Sequence, residues 1–215
     1  MSVEKSHFPE QQVLVLAVSK TQPPEAIRAA HAQGLNHFGE NYVQEALDKM
    51  AVLHDLPLTW HFIGPIQSNK TRPIAEHFQW VHSLEREKVA RRLNDQRPED
   101  QSPLQVCIQV NISGETSKSG IEPAQLQNLA RTIDALPRLR LRGLMAVPAA
   151  TGDRAEQHRA FAAMRALFER LRTEFPEVDT LSMGMSSDLE AAIAEGATLV
   201  RVGTAIFGPR DYGGA

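Results

Sequence analysis

The sequence predicts an α/β fold, a single (β/α)8 barrel of the TIM type in which parallel strands alternate with helices. Strand-like apolar runs alternate with amphipathic segments along the chain, the strand-like runs number eight, and no linker or repeat divides the 215 residues. Alternating strands and helices form parallel sheets. Eight such units in about 200 residues fit a closed barrel at its lower size limit. An open doubly wound sheet is the main alternative, and in both cases residues 1–215 form one domain.

The eight predicted strands are short runs rich in β-branched and aliphatic residues. In chain order they are Val13–Val18, Leu35–Gly39, Leu58–Ile63, Trp80–Ser83, Leu104–Val110, Leu141–Val147, Val178–Leu181 and Thr198–Val202. Their bodies are apolar, as expected when both faces of a parallel sheet are covered. Polar and glycine residues follow the strand ends.

The segments between these strands carry the signals of helices. Periodic apolar positions or flanking prolines and glycines predict helices over Glu25–Gln33, Ala124–Leu136 and Arg154–Phe175. Ser187 and Glu190 have the spacing of a capping box at the start of a further helix, which Gly196 can end.

Composition excludes several classes of protein. The net charge is −3 and no basic stripe is visible, so nucleic acid is not an expected partner. No apolar run is long enough to span a membrane and the amino terminus lacks a signal-peptide core, so we expect a cytoplasmic protein, in the simplest case a monomer. The one cysteine, Cys107, lies in an apolar strand and is expected in the core. No histidine or cysteine spacing predicts a metal site.

In a barrel of this type, chemistry takes place at the carboxyl ends of the strands. Lys20 follows the first strand there. A lysine at a strand end is usually solvated, but one held near apolar residues can condense with an aldehyde. Arg201 lies inside an apolar strand and needs either an ion-pair partner or a ligand atom.

The loops after the last two strands predict a phosphate site. Gly203 and Thr204 offer backbone N–H groups beside a helix predicted to begin near Ser186, and barrels often bind phosphate at this position. One ligand with an aldehyde for Lys20, a phosphate for these donors and a ring nitrogen for Arg201 is pyridoxal 5'-phosphate (PLP).

These segments also carry a resemblance to a known family. The sequence resembles the pyridoxal phosphate homeostasis proteins over about residues 14–212, in segments that follow the family order. The matching segments are Ala17–Thr21, Phe38–Glu45, Trp60–Lys70, Asn111, Ser117–Gly120, Arg142–Met145, Leu181–Ser186 and Arg201–Gly208. One departure is visible, because only about a dozen residues precede the first strand where family members typically have a longer segment with a helix.

The resemblance implies a barrel like the N-terminal domain of alanine racemase, with PLP on Lys20 as a Schiff base. It places Arg201 near the ring nitrogen, Asn41 beside the ring, and Ser186 with Gly203 and Thr204 at the phosphate. It also implies a protein that holds, buffers or delivers PLP, with apo forms of PLP enzymes as candidate recipients, and no catalytic residue.

Two other functions stay open at this point. A PLP-dependent racemase or related amino-acid enzyme needs a second acid/base group opposite the lysine. The tyrosines Tyr42 and Tyr212 are not expected to supply it, whereas His61 and His82 keep this alternative open. A sugar-phosphate enzyme would use the phosphate loops without PLP, and it would lack the absorbance of a Schiff base.

Overall fold

The computed structural model describes residues 13–115 and 118–208. Eight parallel strands form a closed barrel in which each strand pairs with the next and β8 pairs with β1. They are β1 (Leu14–Val18), β2 (His37–Glu40), β3 (Thr59–Phe62), β4 (Trp80–Leu84), β5 (Leu104–Gln109), β6 (Leu139–Met145), β7 (Thr180–Ser182) and β8 (Leu199–Val202). The predicted barrel is confirmed, and the open sheet is wrong.

Helices connect the strands. They are α1 (Pro24–Ala32), α2 (Val43–Val52), α3 (Thr71–His77), α4 (Glu87–Gln96), α5 (Leu126–Asp134), α6 (Arg154–Glu174), α7 (Leu189–Ala194) and α8 (Thr204–Phe207). Short 3-10 turns at Ser68–Lys70 and Pro123–Gln125 precede α3 and α5. None of the helices in the described ranges is both long and apolar enough to cross a membrane.

The barrel closes where the first and last strands meet. Leu16 of β1 is the register partner of Arg201 of β8, and the Leu14 N–H donates to the Thr198 carbonyl oxygen at 2.9 Å. This pairing places the end of β1, where Lys20 follows, beside the end of β8, where Gly203 follows. Two residues that are 183 positions apart in sequence thereby become neighbours across one seam.

The core consists of apolar side chains of the strands and of the inner helix faces. Phe38, Phe62, Phe78 and Phe161 are among its largest fully buried members. Cys107 is also fully buried, and burial raises the pKa of its thiol well above the ordinary value. The expectation of a core cysteine is therefore confirmed.

The predicted capping box at Ser187 and Glu190 is wrong. The helix α7 begins at Leu189, with Asp188 at its N-cap position and no side-chain capping bond. Asp188 Oδ1 instead accepts the Met185 N–H at 2.6 Å, which closes a turn before the helix. The carboxylate of Glu190 forms an ion pair with the side chain of Arg154 and does not accept a hydrogen bond at the helix start.

The end of α7 agrees with the sequence. Gly196 follows the helix with φ +91°, a left-handed conformation that glycine adopts without strain, and its N–H donates to the Ile193 carbonyl oxygen. The chain then turns directly into β8.

Candidate functional site

A cavity of about 290 Å³ opens at the carboxyl ends of the strands. Its lining consists of Val18, Lys20, Asn41, Ile63, Val147, Met185, Ser186, Arg201, Gly203 and Thr204. Strands on both sides of the β1–β8 seam contribute, so the seam runs through the site. All six residues predicted from the sequence to bind a cofactor lie on this one surface. The volume suits a small ligand.

A larger cavity, of about 420 Å³, lies at the opposite end of the barrel. Its lining combines the starts of β5 and β6 with the segment before β7, and it includes the carboxylates of Asp134, Glu174 and Glu177. In barrels of this class the amino-terminal end serves stability rather than chemistry. Three carboxylates against one cation on the described lining, Arg140, also disfavour an anionic ligand, so the smaller cavity is the candidate site.

Lys20 stands on a bend that immediately follows β1. The next residue, Thr21, has φ +64°, a left-handed conformation that costs a non-glycine residue about 1–3 kcal/mol. Hydrogen bonds hold the backbone on both sides of the lysine. Ser19 Oγ donates to Glu40 Oε1 at 2.6 Å, and the Thr21 N–H donates to Glu45 Oε1 at 2.5 Å. The direction in which the Lys20 side chain leaves the backbone is therefore fixed by its neighbours.

A buried lysine on α2 organises these contacts. Lys49 Nζ donates to the Ser19 carbonyl oxygen at 2.7 Å, to Glu40 Oε1 at 2.7 Å and to Glu45 Oε1 at 2.6 Å. We call Ser19, Glu40, Glu45 and Lys49 the Lys49 cluster. Burial raises the pKa of the Glu40 carboxyl, and the Lys49 cation acts in the opposite direction. One buried cation thus pairs with two carboxylates, and these carboxylates accept hydrogen bonds from the residues on either side of Lys20.

Sequence analysis missed Lys49. A lysine on an amphipathic helix is usually solvated, and the spacing of Glu45 and Lys49 by four residues fits an ordinary surface ion pair equally well. The contact that distinguishes it is the one to the Ser19 carbonyl on another element, which the sequence alone does not reveal.

Arg201 is buried beneath the cavity that it lines. Its Nη1 donates to the carbonyl oxygen and to Oγ of Ser182, both at 2.9 Å, and its Nη2 donates to the Ala146 carbonyl oxygen at 2.8 Å. Burial lowers the pKa of the guanidinium to about 10, so it remains charged at neutral pH. Within the described residues its hydrogen-bond partners are neutral oxygens, so of the two alternatives left open by the sequence the ion pair is not formed. A guanidinium has five N–H donors, which leaves donors for a ligand.

Asn41 follows β2 and packs tightly against the end of the next strand. A Cβ atom at Gly64 would lie 2.3 Å from the Asn41 carbonyl oxygen, so this close approach requires glycine. The side-chain Oδ1 of Asn41 is buried without a hydrogen-bond partner among the described residues. A buried amide atom in this state is stabilised if a ligand supplies the missing partner.

The predicted phosphate side of the cavity is built from two loops. Ser186 lies in the turn that precedes α7, not at a helix start, because α7 begins three residues later. Gly203 precedes the short helix α8, and its carbonyl oxygen accepts the N–H groups of Ile206 and Phe207. The N–H groups of Thr204 and Ala205, at the start of the helix, have no acceptor within it. Hydroxyl groups of Ser186 and Thr204 and nearby backbone N–H groups therefore border the same region of the cavity.

Other candidates from the sequence lie elsewhere. Tyr42 is 58% exposed and outside the cavity lining. His61 and His82 are fully buried inside the barrel and also do not line the cavity. Tyr212 and Ser117 lie outside the described residues. Among the residues that the structure describes, no group of three or more His, Cys, Asp or Glu side chains could hold a metal ion.

The buried histidines predict a loss of stability in mild acid. Burial lowers the pKa of His82 to about 3 and that of His61 well below its ordinary value. The unfolded chain protonates both near pH 6.5 while the folded chain does not, so stability is complete above pH 6.5 and falls below it. Each histidine contributes about 1.4 kcal/mol per pH unit. Glu40, whose pKa is raised, acts in the opposite sense at lower pH.

Urea unfolding between pH 7.5 and 4.5 measures this slope. His82→Gln should reduce the slope, whereas the matched change at His54, an exposed histidine next to α2, should leave it unaltered. A free energy of unfolding that is constant between pH 7 and 5 would contradict the assignment of neutral interior histidines.

The fold and the cavity define a class of protein. Residues 1–211 match the family described as alanine racemase, N-terminal domain. Alanine racemase from Corynebacterium glutamicum superposes with a TM-score of 0.73 at 18% identity, over 95% of this chain and 59% of that enzyme. At this identity the likeness shows the fold alone. The chain is thus a barrel of the alanine racemase N-terminal type.

Relatives of higher identity define the family within that class. The pyridoxal phosphate homeostasis protein of Pseudomonas aeruginosa is 66% identical over 199 residues, which is 93% of this chain and 85% of the relative. That of Escherichia coli K12 is 55% identical, over 94% of this chain and 88% of the relative. PipY of Synechococcus elongatus, solved with PLP bound, is 42% identical with a TM-score of 0.84, over 94% of this chain and 95% of PipY. This chain belongs to the pyridoxal phosphate homeostasis protein family.

Proposed function

We propose that this chain binds PLP in the cavity at the barrel mouth, attached to Lys20 as a Schiff base. The observation that carries this proposal is the convergence of an amine, a buried guanidinium and a set of hydroxyl and N–H donors on one cavity of suitable size. PLP has an aldehyde, a ring nitrogen and a phosphate, so each part of the ligand has a counterpart. PipY, a relative solved with PLP bound, supports the same ligand for this chain.

Each polar or glycine residue of the cavity then has a defined role. When bound, PLP supplies an electrophilic aldehyde carbon and an electron-withdrawing ring. The Lys20 amine forms a carbon–nitrogen double bond with that carbon, and one water molecule leaves. Arg201 donates a hydrogen bond towards the ring nitrogen, and the hydroxyl of Ser186 with the hydroxyl and N–H of Thr204 hold the phosphate.

Two further residues complete the fit. Asn41 lies beside the ring, where its buried Oδ1 gains a partner that the protein does not supply among the described residues. Gly203 lines the cavity beside Thr204 and adds a backbone N–H donor for the phosphate. The available groups thus fit PLP without a metal ion or a second cofactor.

We further propose that the protein holds, buffers or delivers PLP and does not use it for turnover. Racemisation requires two acid/base groups on opposite faces of the substrate carbon. Of the described residues that line the cavity, Lys20 supplies one such group, Arg201 stays charged, and the hydroxyls of Ser186 and Thr204 are assigned to the phosphate, away from the substrate carbon. A cationic donor at the ring nitrogen also keeps that nitrogen unprotonated, which weakens the ring as an electron sink.

One preparation of PLP-loaded protein tests both parts of this role. We expect no racemisation or transamination of alanine and serine above the rate with free PLP, measured by chiral chromatography. We expect reactivation of an apo PLP enzyme in the same preparation, because Schiff-base formation is reversible. Turnover that disappears in Lys20→Ala would contradict the carrier role and favour the enzyme. Absence of both activities would restrict the role to holding PLP.

A further inference from the structure

A chain of hydrogen bonds runs through the barrel interior to Arg201. His37 Nδ1 lies 2.9 Å from His61 Nε2, His61 Nδ1 lies 2.9 Å from His82 Nε2, and His82 Nδ1 lies 2.9 Å from Ser182 Oγ. Arg201 Nη1 donates to the same Ser182 Oγ at 2.9 Å. We call His37, His61, His82 and Ser182 the interior chain.

This chain crosses the barrel. His82 belongs to β4 and Ser182 to β7, two strands that are not neighbours in the sheet, so their side chains meet only in the interior. His61 and His82 are fully buried, while His37 at the start of β2 is half-buried. The chain therefore extends from the amino-terminal end of the barrel to the guanidinium beneath the cavity.

Donor and acceptor roles along the chain follow from the arginine. A guanidinium only donates, so Ser182 Oγ accepts from Arg201. The Ser182 hydroxyl hydrogen then needs an acceptor, and among the described residues His82 Nδ1 is the one in reach. With Nδ1 accepting, His82 carries its proton on Nε2 and donates to His61 Nδ1. His61 Nδ1 is therefore an acceptor too.

The proton positions of His61 and His37 follow from that of His82. His61 carries its proton on Nε2 and donates to His37 Nδ1, so His37 also has its proton on Nε2. All the hydrogen bonds point away from the positive charge of Arg201. A charged imidazole has two N–H donors and cannot accept from its neighbour, so the chain requires neutral rings. Burial and the nearby Arg201 charge both lower the pKa of His82.

We propose that the interior chain positions Arg201. Its four residues, Ser182, His82, His61 and His37, hold the guanidinium in one orientation towards the cavity. They do so through hydrogen bonds that all run in one direction, with each imidazole protonated at Nε2. The effect on PLP rests on the proposed function, whereas the protonation pattern does not. The neutral rings add no second cation beside Arg201, and the chain orders a side chain that would otherwise have several rotamers.

The test combines NMR with PLP titration of the apo protein at pH 7.5. In ¹⁵N-labelled wild-type protein, the rings of His37, His61 and His82, assigned with single His→Gln variants, should all be protonated at Nε2. Ser182→Ala should shift the ring signals of His82 and His61. It should also weaken PLP binding roughly threefold to tenfold, the change that corresponds to one hydrogen bond. The backbone contact from Arg201 to residue 182 survives this substitution, so a larger loss is not expected.

Thr180→Val is the matched control, because it removes another buried hydroxyl from the same strand. That hydroxyl donates to Asp179 and not to a member of the interior chain. It should leave the ring signals and PLP affinity unaltered. A proton on Nδ1 of any of the three rings, or a charged ring, would overturn the inference. So would a folded Ser182→Ala protein with unshifted rings or with PLP affinity within twofold of the wild type. If Ser182→Ala fails to fold, the protonation states of the three rings in the wild-type protein still support or overturn the inference.

Failure of the proposed function is recognised separately. Wild-type protein that binds no PLP in the titration contradicts the proposed function alone. The ring protonation pattern then continues to support or overturn the interior chain, because it is measured without PLP.

Discussion

Replacing Lys20 by alanine should abolish the Schiff-base absorbance of the PLP-loaded protein completely while leaving the fold intact. The loss is complete because no other side chain on the described cavity lining carries an amine. The stability cost is about 1 kcal/mol or less, because a partly buried lysine at a strand end contributes little packing. Absorbance spectra after incubation with PLP and thermal unfolding of the apo proteins measure the two effects.

Lys20→Arg distinguishes the need for a primary amine from the need for a positive charge. It keeps a cation at the cavity but cannot form the carbon–nitrogen double bond, so it should lose the absorbance as fully as the alanine variant. Lys70→Ala is the matched control, since Lys70 is exposed and lies outside the cavity. An undiminished Schiff-base spectrum in Lys20→Ala would contradict the assignment of Lys20.

Replacing Lys49 by methionine should lower the free energy of unfolding by about 3–5 kcal/mol, the cost of removing one partner from a buried ion pair. Glu40 would remain buried at 0% exposure without its cation, and Glu45 would lose the partner that draws it towards Thr21. Urea unfolding at pH 7.5 measures the loss. We also expect slower attachment of PLP, because the bend that directs Lys20 loses the hydrogen bond to the Ser19 carbonyl.

Two further variants isolate the buried charge as the cause. Lys88→Met removes an exposed lysine from α4 and should change the stability by less than about 0.5 kcal/mol. Adding Glu40→Gln to Lys49→Met removes the uncompensated carboxylate and should recover part of the loss. A cost below about 1 kcal/mol for Lys49→Met would show that the Lys49 cluster does not hold the bend.

The barrel was predictable because its signals are local. The strands β1 to β8 are apolar runs bounded by polar residues, and each lies within a few residues of the predicted range. The positions of Lys20 and Thr204 on one cavity lining were predictable for a related reason. A parallel barrel brings all the carboxyl ends of its strands to one rim, so that a residue's place in its strand determines its place in the molecule.

The missed features depend on contacts between distant elements. His82 and Ser182 meet across the barrel although they are 100 positions apart, and their contact depends on the tilt and register of strands that no periodicity encodes. Lys49 is buried because Glu40 and the end of β1 lie over α2. The wrong capping box has a local cause, since Asp188 competes successfully for the N-cap position beside Ser187.

The most direct test of the central claim is the site of covalent attachment. The PLP-loaded protein is reduced with borohydride, which converts a Schiff base to a stable amine, and the modified peptide is identified by mass spectrometry. We expect the pyridoxyl group on Lys20, at the mouth of the cavity. A pyridoxyl group found exclusively on Lys70 or Lys118 would contradict this claim.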